Sequence, residues 1–128
     1  MKNINLSIII PCYNEGHSIP LLFKKIEAIQ KDYFEIILIN NGSTDDTKNI
    51  LKQLNVNFNI TVVSLKENLG YGNGIIEGIK IANGKIISWT HADLQTDPKD
   101  VIDAYKFYIK QGDAKKFILK GKRINRKL

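Results

Sequence analysis

The stretch Leu6-Ser7-Ile8-Ile9-Ile10-Pro11-Cys12-Tyr13-Asn14-Glu15 joins a short apolar run to a polar loop, and this junction decides the fold. A short run of aliphatic residues that ends in proline and polar residues is typical of a buried strand, here Leu6 to Ile10. Similar runs predict four more strands, at Glu35 to Ile39, Ile60 to Leu65, Lys85 to Trp89 and Lys116 to Leu119.

Helical patterns separate these strands. The first helix is expected at Ile19 to Ile29 with Ser18 as its N-cap, and the second follows a capping box of Ser43 and Asp46 ahead of Ile50. The third is indicated by the apolar stripe Ile75, Ile79 and Ala82. The fourth is expected to run from the cap Asp97 to Gly112. Alternating strands and helices predict a mainly parallel, Rossmann-like α/β sheet covered on both faces. Such sheets bind ligands outside the carboxyl ends of their strands, so the loops there are the expected site.

Length and composition predict a single domain, residues 1–128, because a chain of this size with 43% hydrophobic residues can bury one core. No apolar run approaches the roughly 20 residues of a spanning helix, so neither a transmembrane segment nor a signal peptide is expected. The single Cys12 cannot form an internal disulfide. This predicts a reducing compartment such as the cytoplasm, with Cys12 as a packed side chain.

The net charge of +6 is concentrated at the carboxyl end. Seven of the 19 basic residues lie in the last fourteen positions: Lys115, Lys116, Lys120, Lys122, Arg123, Arg126 and Lys127. Such a tail can contact phosphate or an anionic membrane surface, or it can be a solvated terminus, and both interpretations stay open. It lacks the interleaved aromatic residues typical of single-strand recognition, so no nucleic-acid partner is expected.

Four polar or glycine-rich segments follow in order: Pro11 to Glu15, Asn40 to Asp45, Asn68 to Gly74 and Thr90 to Pro98. They resemble the P-x-Y-N-E, V-D-D-G-S-T-D, N-x-G-x-G-x-A and D-A-D-L-Q-x-x-P segments of family 2 glycosyltransferases. Within this family, the chain most resembles the polyprenyl-phosphate (dolichol-phosphate-mannose-type) sugar transferases. Lys120 to Arg123 lies where these enzymes carry G-S-R. The resemblance implies the GT-A fold, a nucleotide-diphosphate-sugar donor and inverting transfer to an acceptor such as a polyprenyl phosphate or another anionic molecule.

The resemblance also implies which positions form the site. Asp93 matches the second acid of the family's D-x-D pair and is the expected catalytic residue and metal ligand, with Gln95 and His91 as further ligands of Mn²⁺ or Mg²⁺. A divalent cation assists a departing nucleoside diphosphate because it offsets the developing negative charge. The expected sugar-nucleotide contacts are Pro11, Tyr13, Asn14, Glu15, Asn40, Gly42, Asn68, Gly70, Gly72, Ala92, Asp93 and Arg123.

Some positions depart from the family pattern. Asn40 and His91 stand where members usually carry Asp, and Asn41 stands where they carry Asp or Asn. Asn40 can accept from a nucleobase through its oxygen and donate through its nitrogen, which leaves the base undetermined. His91 has three open roles: metal ligand, neutral hydrogen-bond donor to phosphate, or turn residue. An imidazole beside one carboxylate suits Mn²⁺ better than Mg²⁺.

The sequence therefore indicates two alternative functions, a sugar transferase and a non-catalytic module that binds a nucleotide or sugar nucleotide. The chain stops about nine residues after the fifth predicted strand, where family members continue with acceptor-binding elements. The resemblance thus predicts the N-terminal, sugar-nucleotide-binding part, with the acceptor-binding part absent. A complete protein of this kind is expected at the cytoplasmic face of a membrane, with the basic tail as a peripheral contact.

Overall fold

The computed structural model describes residues 3–112 and 118–122, in which strands and helices alternate. The strands are β1 (Leu6–Cys12), β2 (Phe34–Asn41), β3 (Ile60–Leu65) and β4 (Ile86–Trp89); the helices are α1 (Ile19–Ile29), α2 (Thr47–Gln53), α3 (Tyr71–Ile81) and α4 (Pro98–Lys110). The predicted α/β class is confirmed. β1 and β2 each run two residues further at the carboxyl end than the sequence predicted.

All neighbouring strands are parallel, and their order across the sheet is β3-β2-β1-β4. The central β1 pairs Ile9 with Ile37 of β2 on one side and with Trp89 of β4 on the other. The chain moves outward from β1 to β3 and then crosses to the opposite side of β1 for β4. The loops after β1 and β4 therefore lie where the strand order reverses, the position at which parallel sheets form a ligand crevice outside the carboxyl ends of the strands.

The sheet is covered on both faces, so β1 and β2 are buried along their whole length. Helices α1, α2 and α4 contribute to the core on the face that carries Ile8, Ile10 and Leu38. Helix α3 packs on the other face, where Ile9 and Ile39 lie. This division follows from the alternation of side chains along a strand, and it explains why these strands are apolar at almost every position.

The apolar stripe predicted for α3 is only partly confirmed. Ala82 packs against the core around Ile9, but Ile79 is 44% exposed, and the buried residues of the helix are Gly74 and Gly78. A Cβ on Gly78 would lie 2.5 Å from Cγ2 of Ile9. The helix backbone therefore packs directly on the sheet, a contact that a count of apolar side chains does not detect.

Helix α4 begins and ends as predicted. The Asp97 side chain accepts a hydrogen bond from the backbone N–H of Lys99 at 3.0 Å, and Gly112 follows the helix with a φ of +79°. Ser18 occupies the N-cap position of α1, but its hydroxyl donates to Glu15 at 3.3 Å and makes no cap bond. Ser18 therefore occupies the predicted N-cap position, but its side chain does not make the hydrogen bond expected of a cap.

The capping box predicted for α2 is wrong. Asp46 stands at the N-cap position without a side-chain cap bond, and the Ser43 hydroxyl donates to Asn40. Asp45 instead accepts from both the backbone N–H and the hydroxyl of Thr47. These bonds, the hydroxyl bond first, lower the pKa of Asp45.

The predicted fifth strand, Lys116 to Leu119, lies partly outside the described residues. Ile118 and Leu119 are described, and neither belongs to a strand. Ile118 is 89% exposed, so it has no sheet to pack against. The fifth strand is not confirmed.

A buried carboxylate, not singled out from the sequence, joins the amino ends of the strands. Glu35 of β2 accepts from the Ser7 hydroxyl at 2.6 Å, from the backbone N–H of Asn83 at 2.7 Å and from the Asn83 side-chain amide at 3.1 Å. The Ser7 hydroxyl accepts in turn from the Gly84 N–H at 2.8 Å. The network ties β1, β2 and the turn before β4 together, at the end of the sheet away from the crevice.

Candidate functional site

The crevice between the loops after β1 and β4 holds six of the fourteen predicted site residues. A cleft of about 170 Å³ is lined there by Pro11, Cys12, Tyr13, Glu15, Tyr71, His91, Ala92 and Asp93. Ligand pockets usually measure about 300 to 1,000 Å³, so this cleft can enclose only part of a larger ligand. Six of the eight lining residues were predicted as site residues, and Cys12 and Tyr71 are additions.

Asn14 does not line the cleft but ties the loop after β1 to the loop after β2. Its Oδ1 accepts from the backbone N–H groups of Thr44 at 2.8 Å and Asp45 at 3.2 Å, and its Nδ2 donates to Thr44 Oγ1 at 3.2 Å. The Asn14 N–H donates to Ser43 Oγ at 3.1 Å. Its φ of +52° is a conformation that Asn tolerates better than most residues. Asn14 therefore positions the loop that carries Tyr13 and Glu15.

Asn40 and Asn41 end β2, and both are 97% buried. Asn40 Oδ1 accepts from the Ser43 hydroxyl at 2.5 Å and from the Ser43 N–H at 3.4 Å, while its Nδ2 donates to Ser64 Oγ at 3.5 Å. Asn41 Nδ2 donates to the Gly70 carbonyl at 3.3 Å, and its Oδ1 has no partner within the described part of the chain. Both amides stand at the carboxyl edge of the sheet, next to the cleft but outside its lining.

The predicted glycines play different roles. Gly42 has a φ of +67°, and a Cβ there would lie 2.6 Å from the Cα of Glu67, so only glycine fits where these two loops touch. Asn68 accepts from the Gly70 N–H at 2.8 Å and so shapes the turn into α3, where Gly70 has a φ of +102°. Gly72 lies in the first turn of α3 with no described atom within 4 Å of an added Cβ.

A tight turn after β4 holds Asp93. Its Oδ1 accepts from the backbone N–H of Gln95 at 3.1 Å, and the intervening Leu94 has a φ of +65°. This conformation is costly for leucine, and the packing of the Leu94 side chain against the core offsets the cost. The turn leaves the second oxygen of Asp93 for a ligand. Ala92 is buried beside it, whereas Gln95 is exposed and does not line the cleft.

The imidazole of His91 stacks on Tyr71, a residue that the sequence analysis missed. The ring centroids are 4.9 Å apart with an interplanar angle of 13°, and the Tyr71 hydroxyl donates to the Thr90 carbonyl at 3.5 Å. Burial, and to a lesser extent the charge of Asp93, raises the pKa of Tyr71, so the phenol stays protonated at neutral pH. Its position between Gly70 and Gly72, in a segment already assigned to the site, was the sequence feature that could have identified Tyr71.

The cleft carries part of the donor set that a divalent cation needs. No cluster of three or more His, Cys, Asp or Glu side chains that could hold a metal occurs among residues 3–112 and 118–122. Glu15 and Asp93 supply carboxylates to the cleft. Mg²⁺ is commonly held by one or two carboxylates when phosphate and water oxygens complete its shell, and Mn²⁺ accepts similar ligands. The residues therefore fit a cation that binds together with a diphosphate.

Cys12 lines the cleft, but its thiol is not poised for nucleophilic chemistry. Burial, followed by the charges of Glu15 and Asp45, raises the pKa of Cys12 to about 12. Because the thiolate is the reactive form, the thiol is inert at neutral pH. A packing role is the better interpretation.

Arg123 was predicted to contact the diphosphate, and it lies outside the described residues together with Arg126 and Lys127. A larger groove of about 480 Å³ occurs elsewhere, lined by Gln30, Lys31, Asp32, Asn57, Phe58 and Asn59. These residues precede β2 and β3, at the amino ends of the strands, and none was predicted as a site residue. The smaller cleft at the carboxyl ends is therefore the candidate site.

Residues 7–115 match the family described as Glycosyl transferase family 2. The chain belongs to glycosyl transferase family 2. In this family 2 chain, the matched region includes every residue that lines the cleft.

Curated relatives are about one-third identical to the family 2 chain over the segments that align. A dodecaprenyl-phosphate galacturonate synthase from Rhizobium johnstonii is 33% identical over 106 residues, which are 79% of this chain and 31% of that protein. An undecaprenyl-phosphate 4-deoxy-4-formamido-L-arabinose transferase from Pseudomonas fluorescens is 36% identical over 101 residues, 75% of this chain and 30% of that protein. The family 2 chain thus spans about a third of the length of these relatives.

Solved structures agree with the fold. The family 2 chain superimposes on residues 1–349 of S. aureus TarS with a TM-score of 0.70 at 25% identity, covering 84% of this chain and 33% of that one. TarS has also been solved with UDP-GlcNAc. The mannosyltransferase PcManGT from Pyrobaculum calidifontis, solved with GDP-Man and Mn²⁺, aligns with a TM-score of 0.62 at 25% identity over 71% of this chain and 28% of that one. The GT-A fold is confirmed.

No helix within the described parts of the family 2 chain has the length and apolar character needed to cross a bilayer.

Proposed function

We propose that this chain binds a nucleotide-diphosphate-sugar in the cleft between the loops after β1 and β4, and that the protein to which it belongs transfers the sugar to an acceptor. The observation that carries the proposal is the convergence of Tyr13, Glu15 and Asp93 on this cleft in a family 2 chain. Tyr13 is 43% exposed, so its ring is available to a ligand.

Each cleft residue has a chemical role in this proposal. The ring of Tyr13 packs against the base or the sugar, and Glu15 accepts from a ribose hydroxyl. The free oxygen of Asp93 would hold Mn²⁺ or Mg²⁺ at the diphosphate, and the bound cation would offset the negative charge that develops on the leaving group. The mannosyltransferase solved with GDP-Man and Mn²⁺ supports this choice of cation.

The reaction proposed for the complete protein is a single displacement at the anomeric carbon. An acceptor oxygen forms a bond to this carbon while the bond to the β-phosphate oxygen breaks, so the configuration inverts and a nucleoside diphosphate leaves. The names of the relatives favour a polyprenyl phosphate as the acceptor. A phosphate oxygen is already anionic, so this acceptor needs no strong general base.

We assign the acceptor site to polypeptide beyond these 128 residues, because the chain spans about a third of its relatives. Holding an acceptor in line for attack is worth about 7 to 11 kcal/mol in favourable cases, so transfer requires a built acceptor site. A polyprenyl-phosphate acceptor would place the complete protein at the cytoplasmic face of a membrane. The basic residues from Lys115 onward would then add a peripheral contact.

Calorimetry with UDP-, GDP- and CDP-sugars tests the binding, and a labelled sugar nucleotide with polyprenyl phosphate tests the transfer. The 128-residue chain is expected to bind a sugar nucleotide and to form lipid-linked sugar at no more than the background rate. A version extended to the length of its relatives is expected to be active. Product that forms on the short chain and requires Asp93 would contradict the assignment of the acceptor site.

The alternative, a non-catalytic binding module, is favoured by Asn40 and His91, which stand where the family usually carries carboxylates. The extended version distinguishes the two functions. A module would bind the sugar nucleotide and leave it intact in the presence of acceptor, whereas a transferase would consume it.

A further inference from the structure

The hydrogen bonds of Asn40 determine which of its two polar atoms a ligand can use. Its oxygen accepts from both the hydroxyl and the backbone N–H of Ser43. A backbone N–H can only donate, so it fixes the amide with the oxygen toward Ser43 and the nitrogen away from it. The nitrogen makes one long contact, 3.5 Å to the hydroxyl of Ser64, which is exposed and free to turn.

An asparagine held in this way differs from an aspartate in what it offers. A carboxylate bonded to Ser43 through one oxygen would still present a second oxygen, which is an acceptor. The Asn40 amide presents N–H groups instead. Because the oxygen is already bonded to Ser43, the nitrogen carries the hydrogen-bonding capacity of Asn40 that is left for a ligand.

Asn40 also lies beside the cleft. It pairs with Cys12 in the β1–β2 ladder, and Cys12 and the adjoining Tyr13 both line the cleft. Ser43, the partner of Asn40, also holds the backbone of Asn14 in the same loop. A base packed on the ring of Tyr13 would therefore direct its polar edge toward the carboxyl end of β2.

Nucleobases fall into two classes at the ring nitrogen of this edge. Uracil and guanine carry an N–H there, whereas cytosine and adenine carry a bare nitrogen that accepts. An N–H of Asn40 that faces an N–H of uracil or guanine leaves both groups without a partner, and a buried polar group without a partner is strongly disfavoured. The bare ring nitrogen of cytosine or adenine is a matching partner.

We propose that Asn40 makes this site selective for nucleotides whose base presents an accepting ring nitrogen, that is, cytosine or adenine rather than uracil or guanine. The inference rests on the proposed function, because it assumes that a nucleotide binds in the cleft. It adds the class of base, which Asn40 sets through the orientation that Ser43 imposes.

The test is calorimetry of the 128-residue chain with CDP, ADP, UDP and GDP, each with Mn²⁺. CDP or ADP is expected to bind at least about tenfold more tightly than UDP and GDP, the difference for one mismatched hydrogen bond. The comparison of CDP with ADP identifies which of the two accepting bases fits. Equal or tighter binding of UDP or GDP to the wild-type chain would overturn the inference and leave the proposed function in place. No binding of any nucleotide would overturn both.

Two substitutions check that Asn40 is the cause. Asn40→Asp is expected to reverse the order and favour UDP or GDP. Asn40→Ala removes the amide, so the difference between the classes is expected to shrink to about twofold while the fold is kept, as checked by thermal melting. Selectivity that is unchanged in folded Asn40→Ala would show that Asn40 does not set it, even if Asn40→Asp fails to fold.

Discussion

The ring of Tyr71 lies flat against the imidazole of His91, with 4.9 Å between the ring centroids and 13° between the planes. Tyr71 begins α3 and His91 follows β4, so the stack joins two elements that are distant in sequence. It also restricts an imidazole that stands where the family carries a carboxylate. The stack holds the plane of the His91 ring, and the role of this residue as metal ligand, donor to phosphate or turn residue stays a prediction.

Removing the stack is expected to weaken nucleotide binding. Tyr71→Ala frees the His91 ring and should raise the Kd for the preferred nucleoside diphosphate about twofold to tenfold, since an aromatic pair contributes about 0.5 to 1.5 kcal/mol. Tyr71→Phe keeps the stack and loses only the long hydroxyl contact, so its Kd should stay within about twofold. Calorimetry on both variants is the measurement. If Phe weakens binding as much as Ala does, the hydroxyl matters and the stack does not.

Two glycines of α3 should respond in opposite ways to alanine. Gly78→Ala places a Cβ 2.5 Å from Ile9 and should lower the free energy of unfolding by about 1 to 3 kcal/mol. Gly72→Ala meets no described atom within 4 Å and should gain up to about 1 kcal/mol from helix propensity. Urea denaturation of both variants gives the comparison. Equal stability of the two would mean that α3 does not pack through its backbone.

The free oxygen of Asp93 is expected to carry the metal dependence of binding. The wild-type chain should bind a nucleoside diphosphate about tenfold more tightly with Mn²⁺ than with EDTA, and Asp93→Asn should remove this gain because an amide is a much weaker ligand. Asp103→Asn, on the exposed side of α4, is the matched control and should keep it. Wild-type affinity that is the same with Mn²⁺ and EDTA would refute the assignment.

The raised pKa of Cys12 predicts a stability change at high pH. The unfolded thiol ionises near its ordinary pKa of 9.0, but the folded thiol stays protonated up to about 12. The contribution of Cys12 to stability is therefore complete below pH 9 and falls as the pH rises toward 12, by about 1.4 kcal/mol per unit. Urea midpoints at pH 8 and pH 10 should fall further in the wild type than in Cys12→Ala. If the urea midpoint falls by the same amount in both proteins, ionisation of Cys12 does not cause the loss of stability.

The sequence predicted the fold well where one side chain type dominates an element. The isoleucine runs of β1 and β2 indicated buried strands, and the cap at Asp97 indicated the start of α4. The sequence-based prediction was wrong where the helix backbone, and not a side chain, makes the packing contact, as at Gly78. It was also wrong where a polar group has several possible hydrogen-bond partners, as Ser43 has. Local spacing cannot show that Ser43 bonds to Asn40 rather than to the first turn of α2.

The candidate site was predicted in its location and only partly in its composition. The ends of β1 and β4 were identified because parallel sheets place ligands where the strand order reverses. Tyr71 was missed because its segment was interpreted through its glycines, and the internal bonds of Asn14 were missed because its partners lie about thirty residues away. Contacts of that range depend on the register between strands, which a sequence pattern does not specify.

The ties of Asn14 to Thr44 and Asp45 have a kinetic consequence. Because one amide joins the loop after β1 to the loop after β2, both are already in place before a ligand arrives. Encounter then requires little reorganisation of these loops, and association should proceed in one phase whose rate rises linearly with ligand concentration. The differences in affinity among nucleotides should accordingly appear in how long each one stays bound.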